Sequence, residues 1–117
     1  MTTTPNAAAG YQDFDFTFDA DAMARGADEA TAFLKAMAHE GRLMILCRLA
    51  ESECTVTELE RLLSVRQAAV SQQLARLRTE GIVDTRREGK QIFYFLADDK
   101  VKRMVPMLYD MFCNTDG

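Results

Sequence analysis

A chain of 117 residues, 48% of them hydrophobic, holds material for one core and excludes a second domain; a core of this size buries roughly two thirds of its unfolded surface, leaving apolar area for a partner to cover. No stretch approaches the roughly 18 apolar residues of a membrane span, no basic-then-apolar leader opens the chain, and three cysteines without such a leader argue against a disulfide framework, so a cytoplasmic protein with no membrane partner is expected. The net charge of -4 argues against a uniformly basic surface, yet residues 65–96 carry six basic and three acidic groups (net +3) between flanks of net -6 (1–64) and net -1 (97–117), a basic island suited to phosphate.

Residues 1–12, rich in Thr, Ala, Pro and Gly, have little to pack, and residues 1–18 are expected to form a flexible N-terminal arm. Within it, Asp13 to Phe18 alternates acid and aromatic, which fits an edge strand or a segment docking on a partner subunit. Residues 19–117 are expected to form the structured domain. From Asp19 to His39, Met23, Ala27, Ala30, Phe33, Leu34 and Met37 recur at helical spacing, with Asp19 or Asp21 as the cap. Leu43, Leu46, Cys47 and Ala50 mark a second helix closing near Ser52.

Thr55 followed three residues later by Glu58 reads as a capping box opening a short helix with Leu59, Leu62 and Leu63 inward. After a turn over 64–66, a further helix with Val70, Leu74 and Leu77 inward stops at Gly81. Strands over 82–84 and 91–96 are expected to flank a turn from Thr85 to Lys90 in which Gly89 supplies a positive φ. A last helix from Asp98 to about Cys113 carries Val101, Met104, Val105, Leu108 and Phe112 on one stripe, and Pro106 inside it is expected to kink or open it.

Two helices joined by a short turn and followed by a basic hairpin form a winged helix-turn-helix, a mainly α fold with a small β-hairpin. Removing the buried stripe from the second of these helices leaves Gln67, Ser71, Gln72 and Arg76 facing outward, side chains whose hydrogen-bonding groups match base edges in a major groove. Arg66, Arg78, Arg86, Arg87 and Lys90 suit phosphate or the minor groove, where they supply affinity rather than sequence choice.

Residues 33–96 resemble the ArsR/SmtB family of winged-helix repressors. The run Leu34-Lys-Ala-Met-Ala-His-Glu-Gly-Arg-Leu43 is similar to the opening of that family's second helix, Val70-Ser-Gln-Gln-Leu-Ala-Arg-Leu-Arg-Thr-Glu-Gly-Ile-Val83 to its recognition helix and first wing strand, and Gly89-Lys-Gln-Ile-Phe-Tyr-Phe95 to its second. The resemblance implies a homodimer built on the first and last helices, a palindromic double-stranded operator as partner, repression, and release by an inducer, with no enzymatic activity and no cofactor.

Many members sense metals, but here Thr55, Val56 and Thr57 stand where one family site has Cys-Val-Cys, and residues 98–114 contain no His for the other. The one histidine, His39, is read as a cap or dimer contact, and no metal site is expected. Cys47 and Cys113 instead resemble the paired thiols of the family's persulfide-responsive branch. By that resemblance they are the redox-sensing pair, joined by a di- or polysulfide bridge when low-molecular-weight persulfides act as inducer, while Cys54 lies outside the pattern. Arg42 and Arg48 are expected to favour a Cys47 thiolate, making Cys47 the first attacker. A plain disulfide formed by peroxide, or a thiophilic metal or metalloid on the same cysteines, is the alternative inducer. A thiol enzyme is disfavoured because no Cys-x-x-Cys is present.

Overall fold

The computed structural model describes residues 16–63 and 67–114, and of Gln67 and Ala68 only the backbone. Its elements are α1 (Ala20–Met37), α2 (Glu40–Glu51), α3 (Val56–Leu63), α4 (Gln67–Thr79), β1 (Val83–Glu88), β2 (Gln91–Leu96) and α5 (Asp99–Cys113). This is the winged helix-turn-helix that the spacing predicts. The chain divides into two compact units, one ending at Leu34 and the other beginning at Lys35. The turn over 64–66, Arg66 with it, lies outside the described residues, as does most of the expected N-terminal arm; Phe16 to Phe18 are exposed and without regular structure. Among the described residues no helix is long and apolar enough to cross a membrane.

Local chemistry sets the helix ends. Asp19 Oδ1 accepts from the amides of Asp21 and Ala22 and opens α1. His39 precedes α2 in extended conformation, its Nδ1 accepting from the Arg42 amide at 3.4 Å, so the chain's one histidine serves as a cap. Thr55 and Glu58 form the reciprocal capping box: the Thr55 amide donates to Glu58 Oε1 at 2.9 Å and the Glu58 amide to Thr55 Oγ1 at 3.1 Å. Asp98 caps α5 by accepting from the amides of Lys100 and Val101. The helix continues through Pro106 to Cys113 as one element.

The core of the second unit gathers Ile45, Leu46 and Leu49 of α2, Leu59 of α3, Val70, Leu74 and Leu77 of α4, and Val101 and Val105 of α5, closed by Ile82, Val83 and Leu96 at the base of the hairpin. On α4 and α5 these positions are three or four residues apart, and on α2 Ile45 and Leu46 stand four and three residues before Leu49, so one apolar stripe of each of these helices is removed from water. α2 lies at the centre, packed against α3, α4, α5 and β2.

The hairpin differs from the sequence expectation. Pairing runs from Val83↔Leu96 to Glu88↔Gln91, so Thr85 to Glu88 extend β1, and the connection shrinks to Gly89, at φ 64°, and Lys90. The polar run hides a strand because its partner, Gln91 to Leu96, is aromatic and β-branched and recruits a ladder along its whole length. Cys54 adds an isolated antiparallel bridge on Tyr94: its amide donates to the Tyr94 carbonyl at 3.2 Å, and the Tyr94 amide donates back at 2.8 Å.

Candidate functional site

The first candidate surface is the outer face of α4. Burying Val70, Leu74 and Leu77 turns Ser71, Gln72 and Arg76 to solvent, and among the described residues none of these three side chains has a hydrogen-bond or ion-pair partner. Gln67 begins the same helix, but its side chain lies outside the described residues. Exposed, unpartnered polar groups on a helix whose opposite stripe is anchored are free to meet base edges. Gln73, half-buried beside them, is engaged instead: its Oε1 accepts from Arg42 Nε at 2.9 Å.

The basic residues of the wing are not equivalent. Arg87 and Lys90 are exposed and, among the described residues, free of ion pairs. Arg86 donates from Nε to Glu53 Oε1 at 2.6 Å and from Nη1 to Glu88 Oε1 at 3.4 Å, with its guanidinium 4.7 Å from the centre of the Phe93 ring directly across the ladder. Arg78 Nε stands 3.5 Å from Asp84 Oδ1, an exposed pair at the root of the wing. The structure thus leaves two wing cations available and ties two others to carboxylates.

The second candidate site lies between α2 and α5. Leu43 and Cys47 on one helix, and Val105, Tyr109 and Cys113 on the other, recur at four-residue spacing, so each ladder presents one face to a shared open pocket of about 680 Å³. Both Cys47 and Cys113 line it, on helices 66 residues apart in sequence; Cys47 is half-buried and Cys113 exposed. Cys54 is fully buried at the Tyr94 bridge and contributes nothing to this pocket.

The expectation for Cys47 itself needs correction. Arg42 points to Gln73 and to the carbonyl of Ala36, and Arg48 engages Ser52 Oγ at 3.0 Å and Glu51 at 3.3 Å, so neither guanidinium is committed to the sulfur. Burial first, and the neighbouring Cys113 second, push the Cys47 thiol above its ordinary value, which disfavours the thiolate. Sequence proximity of Arg to Cys on one helix was misleading because both guanidinium groups are taken by oxygen acceptors, Gln73 and the Ala36 carbonyl for Arg42, Ser52 and Glu51 for Arg48. Among the described residues no three His, Cys, Asp or Glu side chains cluster closely enough to hold a metal ion.

Comparison with known proteins agrees with this architecture. Residues 39–85 match the profile of bacterial regulatory proteins of the arsR family. The biofilm growth-associated repressor of Agrobacterium fabrum is 54% identical over 92 residues, which is 79% of each chain. The crystal structure of the transcriptional repressor BigR from Xylella fastidiosa superposes with a TM-score of 0.76 at 42% identity, over 85% of this chain and 98% of that one. The homodimeric winged helix-turn-helix DNA-binding domain of Mb0332 from Mycobacterium bovis does so with a TM-score of 0.63 at 28% identity, over 82% and 89%.

Proposed function

The chain belongs to the ArsR family of bacterial transcriptional regulators, and from that membership we propose that it is a cytoplasmic homodimeric repressor which leaves its operator when sulfane sulfur bridges Cys47 to Cys113. The observation that carries this reading is the placement of two thiols from distant helices on the walls of one pocket.

DNA is read by Gln67, Ser71, Gln72 and Arg76 on α4, with Arg87 and Lys90 of the wing on phosphate and Arg86 beside them on the hairpin. A palindrome is the expected target, because two protomers related by a twofold axis present two reading helices about 34 Å apart. The exposed Met107, Met111 and Phe112 of α5, and Met23 and Leu34 of α1, supply apolar surface for the dimer contact. The homodimeric relative favours the same assembly.

The exposed Cys113 meets the inducer first. Its thiolate attacks the outer sulfur of a low-molecular-weight persulfide and expels the donor thiol, leaving a protein persulfide. Cys47 then attacks the inner sulfur of that group and releases hydrosulfide, forming a disulfide; where both cysteines have first gained sulfane sulfur, the same displacement leaves the extra sulfur in a polysulfide. In balance, a bridge containing n inserted sulfurs consumes n+1 persulfides and releases n+1 thiols and one hydrogen sulfide. The half-buried Cys47 suits the second, intramolecular step, where proximity compensates for a scarce thiolate. Bridging restrains α2 against α5, and a shift of the DNA-competent population from about 99% to 1% needs roughly 5.5 kcal/mol, within reach of a covalent constraint.

Intact-mass measurement of the reduced protein after exposure to glutathione persulfide tests this. The diagnostic product is the polysulfide bridge, which gains one or more sulfur atoms and loses two hydrogens; it forms in Cys54→Ser, fails in Cys47→Ser and Cys113→Ser, and no longer shifts an operator duplex. Release by peroxide or arsenite at equal or lower dose, with no mass gain in sulfur units, would favour the other inducers and overturn the reading.

A further inference from the structure

We infer that Arg42 is a positioning residue for DNA recognition, acting through Gln73 to set the rotation of the reading helix α4 against α2. Arg42 lies in the first turn of α2, and its guanidinium makes two part-buried bonds: Nη1 donates to the Ala36 carbonyl at 2.6 Å and Nε to Gln73 Oε1 at 2.9 Å. The last carbonyls of a helix lack intrahelical partners. At the end of α1 the Lys35 carbonyl is taken by the Ala38 amide and that of Met37 by the His39 amide, while the Ala36 carbonyl is left to the guanidinium, whose charge also suits a helix C-terminus. One prong of a rigid fork is therefore anchored on backbone, and another grips α4.

Among the described residues this is the one side-chain hydrogen bond between α2 and α4. Gln73 directly follows the outward Ser71 and Gln72 and precedes the buried Leu74, so it sits at the border between the anchored stripe and the reading face. Apolar packing of Val70, Leu74 and Leu77 tolerates small rotations of the helix, because the hydrophobic effect has no direction. A planar guanidinium holding a planar amide does not. Side-chain tips stand about 5 to 6 Å from a helix axis, so a rotation of about 15° carries Ser71, Gln72 and Arg76 roughly 1.5 Å, enough to take a base-edge hydrogen bond out of range.

This inference rests on the DNA-binding function of the family and on no part of the sulfur chemistry, so either can fail alone. The test measures binding of the full reduced chain to two labelled duplexes of equal length, one selected from a random library by the parent protein and one scrambled. Arg42→Gln and Gln73→Met are each expected to lose about 10- to 100-fold on the selected duplex, the range for a hydrogen bond to a charged group. Binding to the scrambled duplex and the salt slope stay at parental values, and the double variant is no weaker than the worse single one. A slope shallower by the share of one phosphate contact per protomer in Arg42→Gln would mean that Arg42 meets DNA directly and would overturn the assignment, as would additive losses in the double variant. Should Arg42→Gln fail to fold, Gln73→Met decides: parental affinity for the selected duplex refutes the role, and a loss confined to it supports the role.

Discussion

Two adjacent arginines on one strand, Arg86 and Arg87, are predicted to behave differently on DNA. Each phosphate neutralised on a duplex steepens the dependence of log K on log salt by about 0.9. Arg87 has no ion-pair partner among the described residues, so Arg87→Ala removes one available charge per protomer and, for a dimer, flattens the slope by about 1.8. Over a fourfold salt range, from about 50 to 200 mM, the parent then loses roughly twelvefold more affinity than the variant. Arg86 is already matched by Glu53 at 2.6 Å and Glu88 at 3.4 Å and rests on the Phe93 ring, so bringing it to phosphate means abandoning three contacts. Arg86→Ala is therefore expected to change the slope by less than half as much. Fluorescence anisotropy titrations of a labelled, selected duplex at four salt concentrations measure both slopes. Equal flattening by the two substitutions would refute the premise that an ion pair seen in the free wing withholds its cation from DNA.

Two further outcomes follow from single sites. Because burial and the adjacent Cys113 both raise the Cys47 thiol, its alkylation by iodoacetamide, followed by site-resolved mass spectrometry, should keep accelerating to higher pH than that of free cysteine. The profile should move down in Cys113→Ser, where the second cause is gone; a Cys47 midpoint at or below free cysteine contradicts the geometry. Thr55→Ala removes one half of the capping box that opens α3 and should cost about 0.5 to 2 kcal/mol in urea unfolding, with an unchanged m-value.

What could be read from residues alone was whatever depends on neighbours three or four positions apart. The caps at Asp19, His39 and Thr55, the buried stripe of α4, and the outward set Ser71, Gln72 and Arg76 are local patterns, and the structure places them as expected. The true length of β1 was hidden because Thr85 to Glu88 are polar, and only their ladder partners make them strand. Arg42 with Gln73, Glu53 with Arg86 and Cys54 with Tyr94 join positions 31, 33 and 40 residues apart and leave no mark on local spacing. The error over Arg42 and Arg48 has the same origin: nearness in sequence to Cys47 was visible, but the acceptors that take each guanidinium group were not.

These long-range contacts converge on α2. The helix spans 12 residues, about 18 Å, and is stiff on that scale. Its first turn holds α4 through Arg42, its middle presents Cys47 to α5, and the two residues beyond its C-cap at Ser52 reach the wing, Glu53 through Arg86 and Cys54 through Tyr94. A body held at both ends by the DNA-reading elements cannot be drawn toward α5 without moving at least one of them. The proposed sulfur bridge therefore needs no separate relay: the helix that carries the thiol already holds both the reading helix and the wing, and a restraint applied at Cys47 acts on the two together.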